Sequence, residues 1–202
     1  MIETQEQLRS RYAPAGERSL KKELTYLDQH SIRFIGLSPF LVLASGCADG
    51  AAMLDASPRG GAPGFVRVTD ANTILLPDAP GNNRLDTYTN IVAGGKVGLL
   101  FLVPGMDETL RINGTARLRD EAAFLDQFRE EKHPPKLVIE IAVREAYLHC
   151  AKALMRSKLW DASRQIERSA MPSMGQMLRD QIGGNISAET QEEMIVRYQK
   201  DL

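Results

Sequence analysis

Hydrophobic and polar positions alternate through residues 109–118, with Leu110, Ile112, Gly114, Ala116 and Leu118 on one side and Thr109, Arg111, Asn113, Thr115 and Arg117 on the other. Residues 137–143 repeat the pattern: Leu137, Ile139, Ile141 and Val143 face one way, Glu140 and Arg144 the other. A period of two predicts half-buried antiparallel strands, and the helical period of 3.6 fits neither run. Residues 96–103 are apolar on both sides, which predicts a central barrel strand or one buried against a second subunit. Shorter β-patterned runs lie at 40–45, 51–56, 65–68 and 73–76. The turn dipeptide Asp49-Gly50 separates the first pair and Thr-Asp-Ala-Asn at 69–72 the second, as hairpins require.

Helical spacing borders this β region. Leu20, Leu24 and Leu27 lie three and four apart, predicting a helix over 17–27 with Ser19 as its cap. A short helix is expected over 28–36, after which Pro39 ends helical character. Residues 84–92 predict a helix stopped by Gly94-Gly95, where left-handed backbone carries no Cβ strain. Residues 121–130 predict a helix crossing between the two long strands. Beyond it, 153–160 holds one or two helical turns, 163–172 is polar and extended, and 173–182 and 188–198 are terminal helices around Gly183-Gly184-Asn185. The pattern predicts a mainly β (α+β) fold, an antiparallel barrel of about six strands with N-terminal, crossover and C-terminal helices. Three segments follow: a helical extension (1–36), the barrel (37–150) and a C-terminal helical segment (151–202) that completes the site or the dimer.

Composition narrows the function. Across 202 residues, 25 Lys and Arg oppose 26 Asp and Glu. Without a basic field there is no expectation of nucleic-acid or anionic-membrane binding, and any basic function must be a local cluster. Cys47 and Cys150, like His30, His133 and His149, are scattered without metal-ligand spacing, so no metal site is expected. No apolar run approaches a membrane span and the acidic start has no leader-peptide profile, which together predict a cytoplasmic protein.

Three places carry candidate chemistry. Ser57-Pro58-Arg59-Gly60-Gly61 reads as an ordinary connection with a solvated Arg59, or as a hydroxyl and a charged fork for phosphate. Pro80-Gly81-Asn82-Asn83-Arg84 runs into a predicted helix. It is a turn with an Asn cap, or a place where unpaired amides, Asn83 and Arg84 meet an anion. Thr109 and Arg111 share a polar strand face that is either solvated or the wall of a pocket or subunit interface. A phosphate-bearing ligand on a small β-barrel is the physical reading. Farther on, His149, Cys150, Lys152, Arg156, Lys158 and Trp160 crowd together. Lys152 and Arg156, four apart, would share a helix face and could hold an anionic substrate, with Trp160 stacked on or fencing an aromatic ring. The alternatives are a basic helix face and a core tryptophan.

From about Phe40 to Val143 the chain resembles the pyridoxamine 5′-phosphate oxidase-like, FMN-binding split-barrel family. The resemblance is carried by Asp55–Gly60, Gly81–Asp86, Asn90-Ile91, Val97–Pro104 and Glu108–Ala116. It implies a six-stranded split barrel and a homodimer binding FMN in a groove made by both subunits. By position, Ser57 and Arg59 would meet the flavin phosphate or ring edge and Asn83 and Arg84 the phosphate. Thr109 and Arg111 would face the flavin across the dimer. The family's C-terminal Arg-Leu-His-Asp-Arg type motif is absent, and Arg-Ser-Lys-Leu-Trp-Asp at 156–161 is only loosely similar. The expectation is therefore an FMN-dependent oxidoreductase of an unidentified small molecule, with no side chain assigned as acid or base. The alternatives are a non-catalytic flavin-binding or sensor protein, or a split barrel holding a deazaflavin or haem, with His149 as the haem ligand.

Overall fold

The structure, a computed structural model, describes residues 1–47, 53–184 and 187–202. Its elements run α1 (Gln5–Arg9), α2 (Glu17–Lys21), α3 (Gln29–Leu37), β1 (Phe40–Gly46), β2 (Asp55–Gly60), β3 (Arg67–Asp70), β4 (Thr73–Pro77) and α4 (Asp86–Val92). Then follow β5 (Lys96–Leu102), β6 (Thr109–Arg119), α5 (Ala122–Leu125), β7 (Val138–His149), α6 (Lys152–Ser157), α7 (Met174–Ile182) and α8 (Gln191–Tyr198). The Asp49-Gly50 turn lies outside the described residues, as does Asn185.

All strands join one antiparallel sheet in the order β2-β1-β5-β6-β7-β4-β3. It has seven strands, one more than the sequence led us to expect, and no ladder joins β2 to β3 among the described residues. The sheet belongs to the split-barrel class. Because residues opposite each other in antiparallel strands point to the same side, the registers define two faces. The inner one carries Leu41, Leu43, Leu99, Phe101, Leu110 and Ile112, each at most 1% exposed. These side chains form the main core, and truncating Phe101 to Ala would cost about 3–5 kcal/mol. Helix α4 lies against this face, where Asn90 Nδ2 donates to Ser45 Oγ at 3.1 Å and to its carbonyl. Gly94, at φ +79°, closes the helix as expected.

β6 and β7 form the longest ladder, interrupted by a bulge opposite Asn113 and Gly114. A Cβ on Gly114 would lie 2.3 Å from the Ala142 carbonyl oxygen, so only glycine fits there. The bulge inserts Arg144 and shifts the inward phase from Ile139, Ile141 and Val143 to Ala146. That shift hid the second half of β7 from the alternation. A satellite core of Leu75, Val138 and Phe128 is closed by Phe124 and Leu125, and Arg67 Cζ sits 4.7 Å from the Phe128 ring centre.

Several local expectations are corrected. The helix over 17–27 ends at Lys21, with Gly16 rather than Ser19 at its N-cap. Leu24 instead exchanges backbone hydrogen bonds with Ala146, and the Leu27 amide donates to the Ala71 carbonyl. This strap satisfies backbone groups of β7 beyond the reach of β4, which a longer helix would leave without a partner strand. Residues 121–130 form only α5 and one 3₁₀ turn, Asp126–Phe128. The stretch 163–172 is not simply extended, since 3₁₀ turns occupy Ala162–Arg164 and Arg168–Ala170. α3 starts where its capping residue dictates, with Asp28 accepting from the Ser31 amide at 2.8 Å.

Candidate functional site at the β2–α4 contact

Ser57 and Arg59 are strand residues, not members of a Gly-rich turn: Pro58 pairs with Val42 and Gly60 with Phe40 inside β2. β2 is an edge strand, where proline is tolerated because no ladder partner needs its missing amide. Their register partners Leu43 and Leu41 face the core, so Asp55, Ser57 and Arg59 also point inward. There they meet the first turn of α4. Arg59 donates to Thr87 Oγ1 at 3.1 Å, and Ser57 Oγ lies 3.2 Å from the same hydroxyl. Ser57 donates to Asp55 at 2.8 Å, and Thr87 makes a short bond to the same carboxylate oxygen.

The Arg59 guanidinium also lies 5.6 Å from the centre of the Tyr88 ring. Burial first, and then the Asp78 carboxylate bonded to its hydroxyl, keep Tyr88 protonated far above the ordinary phenol range. Arg59 Nε is buried and has no hydrogen-bond partner. A buried guanidinium N–H without an acceptor is costly, and an anion reaching it would remove that cost.

The loop before α4 comes to the same place. Asn83 and Leu85 adopt left-handed backbone, at φ 59° and 61°, and the Arg84 amide donates to Asn82 Oδ1 at 3.1 Å. Arg84 is exposed and ion-paired with Asp86 at 2.8 Å. Its pKa is raised first by that hydrogen bond and then by the Asp86 charge, with Asp55 contributing from farther off. Ser57 and Arg59 therefore meet the start of α4 through Thr87, and Arg84 feels the Asp55 charge, while Asn83 stays exposed in the loop leading into this contact. Asp55, Thr87 and Tyr88 complete it. The sequence assigned none of these three a site role, although Asp55 heads the matched stretch Asp55–Gly60 and Thr87 and Tyr88 stand in the first turn of the helix whose start it did mark.

Thr109 and Arg111 do not join that cluster. Arg111 is level with Leu100, Val42 and Pro58, and these side chains occupy the outer face. Arg111 donates to the Tyr147 hydroxyl at 3.1 Å and Thr109 is buried. Of the C-terminal candidates, Lys152 and Arg156 are both on α6, but Arg156 Nε turns back to the Lys152 carbonyl at 3.0 Å. Trp160 Nε1 donates to the Met106 carbonyl at 2.7 Å, and Trp160 lines an open pocket of about 310 Å³ with Asp107, Leu154, Met155, Lys158 and Asp161. A larger groove of about 820 Å³ lies between the C-terminal end of α4 and strands β6, β7 and β4. It holds the Arg119–Glu140 ion pair and exposed Arg117 and Arg144, and none of the sequence-derived site residues lines it.

Among the described residues, no group of three or more His, Cys, Asp or Glu side chains is placed to hold a metal ion. No helix among them is long and apolar enough to cross a membrane.

Comparison with known proteins now bears on the fold. A single-residue variant of HupZ from Group A Streptococcus is 21% identical, with a TM-score of 0.50 over 61% of this chain and 99% of that one. A putative pyridoxamine 5′-phosphate oxidase from Lactobacillus delbrueckii, also 21% identical, gives a TM-score of 0.49 over 62% of this chain and 98% of that one. An FMN-binding protein from Syntrophomonas wolfei is 14% identical, with a TM-score of 0.43 over 59% and 81%. No curated protein matches the chain significantly. The sequence model of the family described as pyridoxamine 5′-phosphate oxidase matches residues 27–150, more than half of the chain and all seven strands, and the chain belongs to that family.

Proposed function

We propose that this protein binds FMN with the phosphate at the β2–α4 contact, and that it acts as a flavin-dependent oxidoreductase on a small molecule. The observation that carries the reading is the buried, unpartnered Nε of Arg59, set beside the Ser57 and Thr87 hydroxyls and the Asn83-Arg84 loop. The donor free to meet a phosphate is the Arg59 guanidinium edge, and the two hydroxyls beside it would have to turn from Asp55 to add their hydrogens. Asp55 is the nearby carboxylate, and Ser57 and Thr87 already donate to it. Arg59 and Arg84 are balanced by Asp55 and Asp86, so an anion would be held there by directed donors more than by net field.

The reading includes a homodimer. The outer face of β1 and β5 exposes Phe40, Val42, Ala44, Leu100 and Leu102 at least in part, and a second copy would cover this strip. Because Thr109 and Arg111 belong to that same face, a partner subunit could bring them to a flavin that Arg59 holds. Bound FMN would supply a ring able to take up or release two electrons. The chain's own part is to fix the phosphate, orient the ring and limit what reaches it. Lys152, Arg156 and Trp160 are the candidates for the last task, with Trp160 anchored through Met106. No side chain is assigned as an acid or base.

The experiment is a titration of the purified protein with FMN, followed by flavin fluorescence, for wild type and Arg59→Gln. Saturable quenching at one FMN per chain, weakened at least tenfold by the substitution, is expected. Absence of binding, or equal binding by both proteins, would overturn the assignment of Arg59. Bleaching of the bound flavin by a reduced nicotinamide would support a reductase. Binding without bleaching would leave an oxidase of another substrate or a binding-only protein.

A further inference from the structure

We propose that Lys22, Arg111 and His149, gathered round the ring of Tyr147 on the outer face of the sheet, form a subsite for a carboxylate or phosphate group of the small molecule this protein handles. Lys22 Nζ lies 5.2 Å from the Tyr147 ring centre and Arg111 Cζ lies 5.7 Å from it. The His149 ring centre is 5.0 Å from the same point, tilted by 57°. Neither Lys22 nor Arg111 makes an ion pair among the described residues. Arg119, on the same strand as Arg111, is instead paired with both Glu140 and Glu121. Glu145, a carboxylate on this face, accepts from Asn113 Nδ2 at 2.7 Å, while Asn113 Oδ1 accepts from Arg111 Nε at 3.4 Å, so Glu145 reaches Arg111 only through the amide and ion-pairs with neither cation.

Three cation-capable groups around one ring repel one another, and cation–π attraction offsets only part of that at a partly exposed site. The arrangement is nevertheless fixed in place. Lys22 donates to the Leu148 carbonyl at 2.7 Å, and the strap that carries it is tied to β7 through Leu24 and Ala146. Arg111 is held by the Tyr147 hydroxyl. Burial, then Arg111, then Lys22 hold the His149 pKa below the usual imidazole value, as expected beside cations that lack a counter-ion. An anion bound there would relieve the repulsion and favour protonated His149, adding a third charged donor. Tyr147 would give a flat wall for a ring carrying that anion. Lys152, at the start of α6, follows His149 by three residues, so the segment leading away from the subsite is basic as well.

That the bound anion belongs to a molecule processed by the protein rests on the flavin reading; the anion site itself does not. The test follows the three histidine side chains of the full-length protein by NMR while inorganic phosphate or benzoate is added at constant ionic strength, with and without FMN. His149 is assigned through His149→Gln, and His30 serves as the internal control. The expected result is a saturable shift of the His149 resonance, an upward move of its titration midpoint, and a roughly tenfold loss of affinity for the anion in Lys22→Gln. A response to benzoate alone points to a carboxylate, a response to phosphate alone to a phosphate ester, and either supports the subsite. An unmoved His149 midpoint with both probes, or equal affinity in Lys22→Gln, overturns it. FMN uptake without an anion response would refute this inference alone. An anion response without FMN uptake would refute the flavin reading alone.

Discussion

Arg59 on β2 and Arg111 on β6 stand within one residue of the same level of one sheet, since Arg59 aligns through Leu41 and Phe101 with Leu110. Three strand spacings, about 14 Å, separate their backbones. Arg59 points inward, where Thr87, Tyr88 and the Asp55 network surround it and one buried N–H is left over. Arg111 points outward among cations and aromatic rings that lack a carboxylate partner. Strand parity alone creates the contrast. One arginine is fixed and nearly satisfied, so it can position a ligand group by geometry. The other has no direct ion pair among the described residues and reaches Glu145 only through Asn113, so it can attract an anion by charge. A single chain turns the two to opposite sides of the sheet, and in the proposed dimer a second copy would supply Arg111 to a flavin held at Arg59 on the edge strand β2.

Breaking the apolar strip between these regions should have the largest effect. Leu100→Asp puts a charge in the centre of the proposed subunit contact. Sedimentation should then report the 22.4 kDa chain rather than a species of twice that mass, and FMN capture should be lost. Dimers that persist in this variant would remove the role given to Leu100.

Next comes the inward arginine. Arg59→Gln removes charge-assisted bonds worth about 1.5–3 kcal/mol, or tenfold or more in FMN affinity, measured by fluorescence titration. A similar loss from Arg84→Gln would show that the loop and the strand act on one phosphate. Its exposed pairing with Asp86 predicts a smaller one.

The outward group should respond differently. Lys22→Gln should leave FMN affinity within about twofold of wild type and move the His149 midpoint upward, because one of the charges depressing it is gone. The sign for stability follows from linkage. With a folded pKa below the unfolded value, His149 takes its proton first in the unfolded chain. Folding stability is therefore lost as pH falls from the unfolded midpoint through the folded one, and this group has no effect above the unfolded midpoint. Comparing the acid limbs of urea denaturation for wild type and Lys22→Gln would check this, and the loss should be smaller in the variant.

Salt gives the smallest contrast. Raising sodium chloride should weaken anion binding at the Tyr147 cluster more than FMN binding at Arg59, where charges nearly cancel. Isothermal titrations at two ionic strengths would read the difference.

Much of the frame was legible in the sequence because it rests on local period. The alternation in 109–118 predicted β6 to within one residue, and the two-sided apolar run of 96–103 predicted β5 and its half-exposed outer strip. What stayed hidden depends on partners far along the chain. Pro58 and Gly60 read as a turn, yet β1 holds them as an edge strand. Leu24 has helical spacing from Leu20 and Leu27, yet a vacant stretch of β7 claims its backbone. The β2–α4 cluster was visible as two separate motifs, while Asp55 and Tyr88 enter it only through packing. Lys22 and Tyr147, 125 positions apart in the sequence, carried no signal of their meeting.

The most direct test of the account is the stoichiometric titration of wild-type protein and Arg59→Gln with FMN, with molecular mass measured on the same samples. The account predicts a dimer that binds one FMN per chain and an Arg59→Gln dimer of unchanged mass whose affinity is at least tenfold weaker. Wild-type protein that fails to bind FMN, or a variant that binds it as tightly as wild type, would contradict it.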